Sequence, residues 1–313
     1  MERILLPRDI PQSLWDGHNL LRLPVPLASA YIENLVERGL LEEAFRVSGR
    51  ELGGGESEEE TIQHFAHRFD GSCARVELAV LDPKQNLGNV SNHFIQAFSG
   101  GRIRLLDIPC GCGAASAALL TTVAELRRQD VIPRMPLEVY LTGGDISETA
   151  LNYAKSLLDD LSKPLEAQSI FLDVSFSKWD IVDPAGTTSL VNNWMSFASD
   201  CKRSFLLIAN FTKFLGDERN LKNSEERLGE IFRWAEVNQA TIVWVEPIQK
   251  TKTIKRFQKW FEGKLTMLTG QLGLPVEPTI RLSSDSKYVQ PLKCSDPSVR
   301  LSLFRLEGLF PWE

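Results

Sequence analysis

A lone acid and two glycines crowd one junction of the chain, at residues 105–120, LLDIPCGCGAASAALL. Asp107 stands where an apolar run should end as a strand. Gly111 and Gly113 follow in the turn, where the missing Cβ lets another group approach the backbone. A strand that turns directly into a helix aims unpaired N–H groups at the carboxyl edge of its sheet, and open α/β sheets bind ligands there. An acid beside such a turn repels a pyrophosphate and attracts a ligand carrying a cation. Ser116 also occupies the third position of the dinucleotide pattern G-x-G-x-x-G. Both observations weigh against a nicotinamide oxidoreductase. Further acids close later runs: Asp145 in VYLTGGDIS and Asp180 in FSKWDIVDP, while LLIANF ends a fourth strand-like run at Asn210 and Phe211. Each has a plainer reading as well. Asp145 is placed to cap a helix beside Ser147, Asp180 has Asp173 and Asp183 for neighbours, and Asn210 can bond local backbone at a strand end.

The elements that must position these residues alternate from Gly101 onward. Strand-like runs are RIRLLDI, LEVYLTG, SIFLDVSF, SFLLIANF and ATIVWVEP. Between them lie helix-like runs, AASAALLTTVAELRRQ, SETALNYAKSLLDDLS, TTSLVNNWMSFAS and SEERLGEIFRWAEVN, with TKTIKRFQKWFEGKLTML after the last strand. Such alternation predicts a parallel sheet covered on both faces. The alternation then breaks. YVQPLKCSD and SVRLSLFRLEG are joined by too few residues for a helix and predict an antiparallel hairpin. The expected fold is α/β: a doubly wound sheet of five parallel strands finished by that hairpin, seven strands in all.

Residues 1–100 read as a mainly helical cap ahead of a sheet domain at 101–313, with a flexible acidic loop at 51–60 where LGGGESEEE can bury nothing. The five cysteines are odd in number and include no C-x-x-C pair, which predicts neither a disulfide framework nor a zinc site. No metal is expected. No apolar run approaches the roughly 20 residues of a membrane span, and MERILLPRDIPQSLW carries charges and prolines where an export signal would be apolar. A cytoplasmic protein without membrane contact is the expectation. The net charge of −6 makes duplex nucleic acid a poor default partner.

LLDIPCGCGAA resembles the first motif, D-x-x-x-G-x-G, of class I S-adenosylmethionine-dependent methyltransferases, whose fold is Rossmann-like. The resemblance runs from Gly101 to the C-terminus, and Pro109 stands where that family often has a further glycine. It implies S-adenosyl-L-methionine as cofactor, with Asp107 holding the methionyl amino group and Pro109, Gly111 and Gly113 shaping the turn around it. By the same resemblance Asp145 accepts the ribose hydroxyls, Ile146 packs on adenine, and Asp180 and Ile181 meet the adenine amino group and ring. Asn210 and Phe211 then lie next to the transferred methyl. The interval from Asp107 to Asp145 is longer than the family's usual one, and the excess falls at RRQDVIPRMP.

The resemblance implies methyl transfer to an oxygen or nitrogen nucleophile, and places the cap over cofactor and substrate. The four histidines, His18, His64, His67 and His93, all precede the glycine turn. His67 and His93 are the candidate general bases, against the plainer reading of histidines packed on a helical cap. The acidic balance favours a small molecule or a protein side chain as methyl acceptor. RNA stays open through a basic helix at 250–264, whose lysines lie opposite an apolar stripe. A chain that binds the cofactor without catalysis, or has lost the cofactor, and serves as a scaffold or assembly protein is the alternative.

Overall fold

The computed structural model describes residues 3–46, 57–196, 201, 203–248 and 281–305. Five strands run parallel: β2 (Gly101–Asp107), β3 (Leu137–Asp145), β4 (Ile170–Lys178), β5 (Arg203–Ala209) and β6 (Thr241–Pro247). Two more, β7 (Arg281–Tyr288) and β8 (Ser298–Arg305), form an antiparallel pair, and β8 lies antiparallel to β6. An eighth, β1 (Leu20–Leu21), pairs parallel with β7. The order across the sheet is β1-β7-β8-β6-β5-β2-β3-β4. The chain therefore winds outward from β2 through β3 to β4, returns to the other side of β2 at β5, and winds outward again. That reversal opens a crevice between the carboxyl ends of β2 and β5.

Burial explains why the sheet takes this form. Along β2, β5 and β6 successive side chains enter opposite cores. Leu105, Leu207, Val243 and Val245 join a core beneath helices α3 (Glu58–Leu81), α4 (Val90–Phe98), α5 (Ala114–Arg128) and α6 (Glu148–Glu166). Leu106, Leu206, Ile208, Ile242 and Trp244 join the other, beneath α7 (Pro184–Ser196) and α9 (Glu218–Val237). Strands buried on both faces read as continuous apolar runs, as these do. The segment before Gly101 packs into the first core. Its helices α1 (Val25–Glu37), α2 (Leu41–Phe45) and α3 contribute Leu27, Tyr31, Leu35, Phe65 and Phe69.

Three expectations need correction. The sheet has eight strands rather than seven among the described residues, because residues 20–21 add an edge too short to leave a periodic signal. The first hairpin strand is not 288–296. That stretch is a turn held by Gln290 N–H donating to the Ser295 carbonyl and Cys294 N–H to the Gln290 carbonyl, and Pro291 has no N–H to give a ladder. The strand precedes it, and its inward face is Ser284, Ser286 and Tyr288, small and polar enough to hide from an apolar pattern. Finally, the acidic stretch 51–60 is not all loop. Ser57 caps α3 by accepting from the Glu60 N–H at 3.1 Å, which puts Glu58, Glu59 and Glu60 in the first helical turn, where acids suit the dipole. Residues 51–56 and the basic stretch 250–264 lie outside the described residues.

Candidate functional site

The glycine turn folds as it does for two separate reasons. Gly111 and Gly113 both have positive φ, +51° and +81°, a region that strains any residue with a Cβ. A Cβ at Gly113 would lie 3.1 Å from the Ala154 Cβ, so Gly113 also lets α5 start against α6. A Cβ at Gly111 would meet nothing within 4 Å. The open side of the turn is therefore at Gly111, and Gly113 serves packing. Pro109 enters the turn through a cis peptide with Ile108. Cys110 N–H donates to the Gly144 carbonyl at 2.9 Å, tying the turn to the end of β3.

Asp107 ends β2 and is 1% exposed. Its Oδ2 accepts from the Ser116 hydroxyl at 2.5 Å and the Ser116 N–H at 3.3 Å, while its Oδ1 has no partner among the described residues. Burial pushes its pKa up to about 7; the Ser116 bonds oppose the shift and the nearby Asp145 charge adds to it. A buried carboxyl with an unsatisfied oxygen is costly, and a cationic donor would relieve it. Asp145 ends β3, also buried, and its two oxygens brace backbone. Oδ2 accepts from Gly111 N–H at 2.9 Å and Oδ1 from Ser147 N–H at 2.9 Å. Ser147 in turn caps α6, its hydroxyl accepting from Ala150 N–H at 3.2 Å. Burial raises the Asp145 pKa against these bonds. The Ile146 N–H also donates to this carboxylate, which leaves about one acceptor position for a ligand.

The other residues singled out from the sequence fall in two groups. Ile146 is 48% exposed beside Asp145, an apolar side chain held out at the edge. Asp180 is half-buried and closes a tight turn, its Oδ1 accepting from Val182 N–H at 3.0 Å. Ile181 and Phe211 are instead buried in the second core, Phe211 stacked on Phe214 with ring centroids 5.5 Å apart. Asn210 ends the crevice side of β5 with φ +59°, and its Oδ1 accepts from Arg75 Nε of α3 at 3.1 Å. The two histidine candidates do not meet here. His67 Nε2 pairs with Glu43 Oε1 of α2 at 3.1 Å. His93 lies on α4, whose next residue Phe94 packs on Phe205 near the amino end of β5, the far edge of the sheet.

Three residues at this edge escaped the sequence reading. Glu246, near the end of β6, is 1% exposed, and its Oε1 accepts from Phe211 N–H, Thr212 N–H and Trp244 Nε1–H at 2.8, 2.9 and 2.6 Å. Its Oε2 has no partner among the described residues, and burial raises its pKa. The signal was available, since an acid closing a strand is the rule that picked out Asp107. Ser116 is the donor that fixes Asp107. Arg75 gave no signal, because an arginine in a helical run reads as surface. Among the described residues no group of His, Cys, Asp and Glu could hold a metal ion, and no helix is long and apolar enough to cross a membrane. A scan against protein-family models finds no match, and no curated protein matches the chain.

Proposed function

We propose that this chain is an S-adenosyl-L-methionine-dependent methyltransferase with a Rossmann-like sheet, transferring a methyl group to an oxygen or nitrogen nucleophile. The observation that carries the reading is Asp107: a buried carboxyl with one unpartnered oxygen, at the head of a crevice, behind a glycine turn open at Gly111. The order of strands around β2 supports it, as does the second buried acid at the end of β3.

In this reading Asp107 takes the ligand's ammonium group, which replaces a costly orphan by a charge-assisted bond. Asp145 offers its remaining acceptor position to a ribose hydroxyl, and its bonds to Gly111 and Ser147 keep it from turning away. Ile146 gives the adenine ring an apolar face, with Asp180 at the exocyclic amine. The bound cofactor supplies an already activated methyl on a sulfonium. What remains for the protein is to orient the two reactants in line and keep water out. A small molecule or protein side chain is the favoured acceptor class, with RNA the further option if residues 250–264 present a basic face.

Isothermal calorimetry of the full chain with S-adenosylmethionine and S-adenosylhomocysteine tests the reading. Saturable binding of both is expected, and label from methyl-tritiated cofactor should pass to one fraction of a cell extract. Folded protein that binds neither would leave the scaffold alternative in its place.

A further inference from the structure

The crevice has a second wall, built by one face of α3. His64, Arg68, Gly71 and Arg75 recur at spacings of four, three and four residues, so they share a helical face. Arg75 aims that face at the end of β5, donating from Nε to Asn210 Oδ1 at 3.1 Å and from Nη2 to Ser72 Oγ at 3.0 Å. Both acceptors are neutral. Neither Arg68 nor Arg75 makes a salt bridge among the described residues, although burial lowers the Arg75 pKa. Two acids lie near them, and Glu246 keeps its Oε2 without a partner among the described residues. Glu246, whose charge reaches Arg75, spends Oε1 on three donors, and Asp70 accepts from Gly71 N–H at 2.7 Å and lies 3.5 Å from the Tyr288 hydroxyl. Gly71 lets the end of β7 close in: a Cβ there would sit 3.0 Å from the Tyr288 hydroxyl and 4.0 Å from Arg75 Nη1.

His64 reports the field of this wall. It keeps partial exposure, yet its pKa falls to about 4, first through burial and then through the charges of Arg75, Arg68 and Lys213. Lys213 comes from α8 (Thr212–Leu215), directly after Asn210 and Phe211. The charges of Arg75, Arg68 and Lys213 thus act on His64, and Arg75 itself sits at the strand end that the methyltransferase reading puts beside the methyl group. A half-buried guanidinium bonded only to neutral acceptors keeps its charge for an anion, and its planar fork suits a two-oxygen partner.

We infer that this wall is the seat of an oxyanion, a carboxylate or a phosphate, carried by the methyl acceptor, with Arg75 as its central donor and Arg68 beside it on the same helical face. The assignment rests on the methyltransferase reading and narrows its substrate to an anionic class. It also divides the edge by charge: acids at β2 and β3 for a cationic ligand, bases on α3 for an anionic one.

The test follows the His64 ring by NMR during pH titration of the full chain. Inorganic phosphate and acetate are added in separate arms, against chloride at equal ionic strength, with S-adenosylhomocysteine binding measured calorimetrically on the same sample. One oxyanion is expected to saturate the site and move the His64 midpoint from about 4 toward its ordinary 6.5. The stronger arm tells carboxylate from phosphate. Arg75→Gln, and the exposed Arg68→Gln should Arg75→Gln not fold, should weaken that anion about tenfold. A His64 midpoint that answers neither anion beyond chloride, or that answers equally in the folded variants, overturns the seat even when S-adenosylhomocysteine binds. Failure of S-adenosylhomocysteine to bind overturns the methyltransferase reading and the acceptor role with it.

Discussion

The two edges of this sheet are finished differently. At the amino edge, Arg127 at the end of α5 is fully buried, and its two terminal nitrogens donate to the carbonyls of Phe98, Ser99, Gln168 and Ser169. One arginine ties together the chain entering β2 and the chain entering β4, leaving its Nε without a partner among the described residues. At the carboxyl edge, buried acids at Asp107 and Glu246 each keep one oxygen unpaired among the described residues. At the amino edge Arg127 spends its terminal nitrogens on backbone that must be held for the fold to close, although Arg104 Nε and Ser204 Oγ there have no partner among the described residues. The carboxyl edge holds polar groups in reserve, at a cost in stability that the fold itself does not explain.

Asp107→Asn should sharpen the contrast most. An acid whose pKa is raised from 3.8 to about 7 on folding binds its proton in the native state while the unfolded chain has lost it. Stability therefore falls as pH rises between those values, and is free of this penalty below about 4. Removing the charge should raise unfolding stability at pH 8 by on the order of 2–4 kcal/mol, with no gain at pH 4, measured by urea denaturation. The same variant should bind S-adenosylhomocysteine about 10- to 100-fold more weakly. Gain of stability with loss of binding marks a functional acid, whereas Arg127→Gln should only destabilise.

The two glycines of the turn break the comparison on a finer scale. Gly113→Ala should cost about 2–3 kcal/mol in stability, from left-handed strain plus the clash with Ala154. Gly111→Ala should cost only about 1 kcal/mol, because its Cβ enters open space. Its larger effect should be on ligand affinity, read by calorimetry. Equal effects on affinity would remove the distinction between the packing glycine and the open one.

How much of this was legible follows from what each residue must do. The five parallel strands were, because burial on both faces leaves uninterrupted apolar runs. β7 was not, since its buried face is serine, and β1 was not, since two residues carry no period. Asp107, Gly111, Gly113 and Asp145 could be named because turns and strand ends have local chemistry. Ile181 and Phe211 were named as site residues from neighbouring positions, yet core packing claims both. Arg75 and His64 become visible only when α3 is laid against β5, a contact between distant parts of the chain that no local pattern encodes.

The smallest expected effect concerns His64. Its native pKa lies near 4 and its unfolded value near 6.5, so the unfolded chain takes up the proton first on acidification, and stability is lost as pH falls from 6.5 toward 4. His64→Gln should change stability by less than about 0.5 kcal/mol at pH 7.5 and should flatten the decline in that acid window, read from melting temperatures.

The most direct measurement is S-adenosylhomocysteine calorimetry on the wild type and Asp107→Asn at pH 6, 7 and 8, in buffers of different ionisation enthalpy. The account predicts saturable binding that strengthens with pH and releases a proton near pH 7, as Asp107 gives up its hydrogen to meet the ammonium group, and predicts that the folded variant loses both the affinity and the proton. Equal binding by the two proteins, or none by the folded wild type, would contradict it.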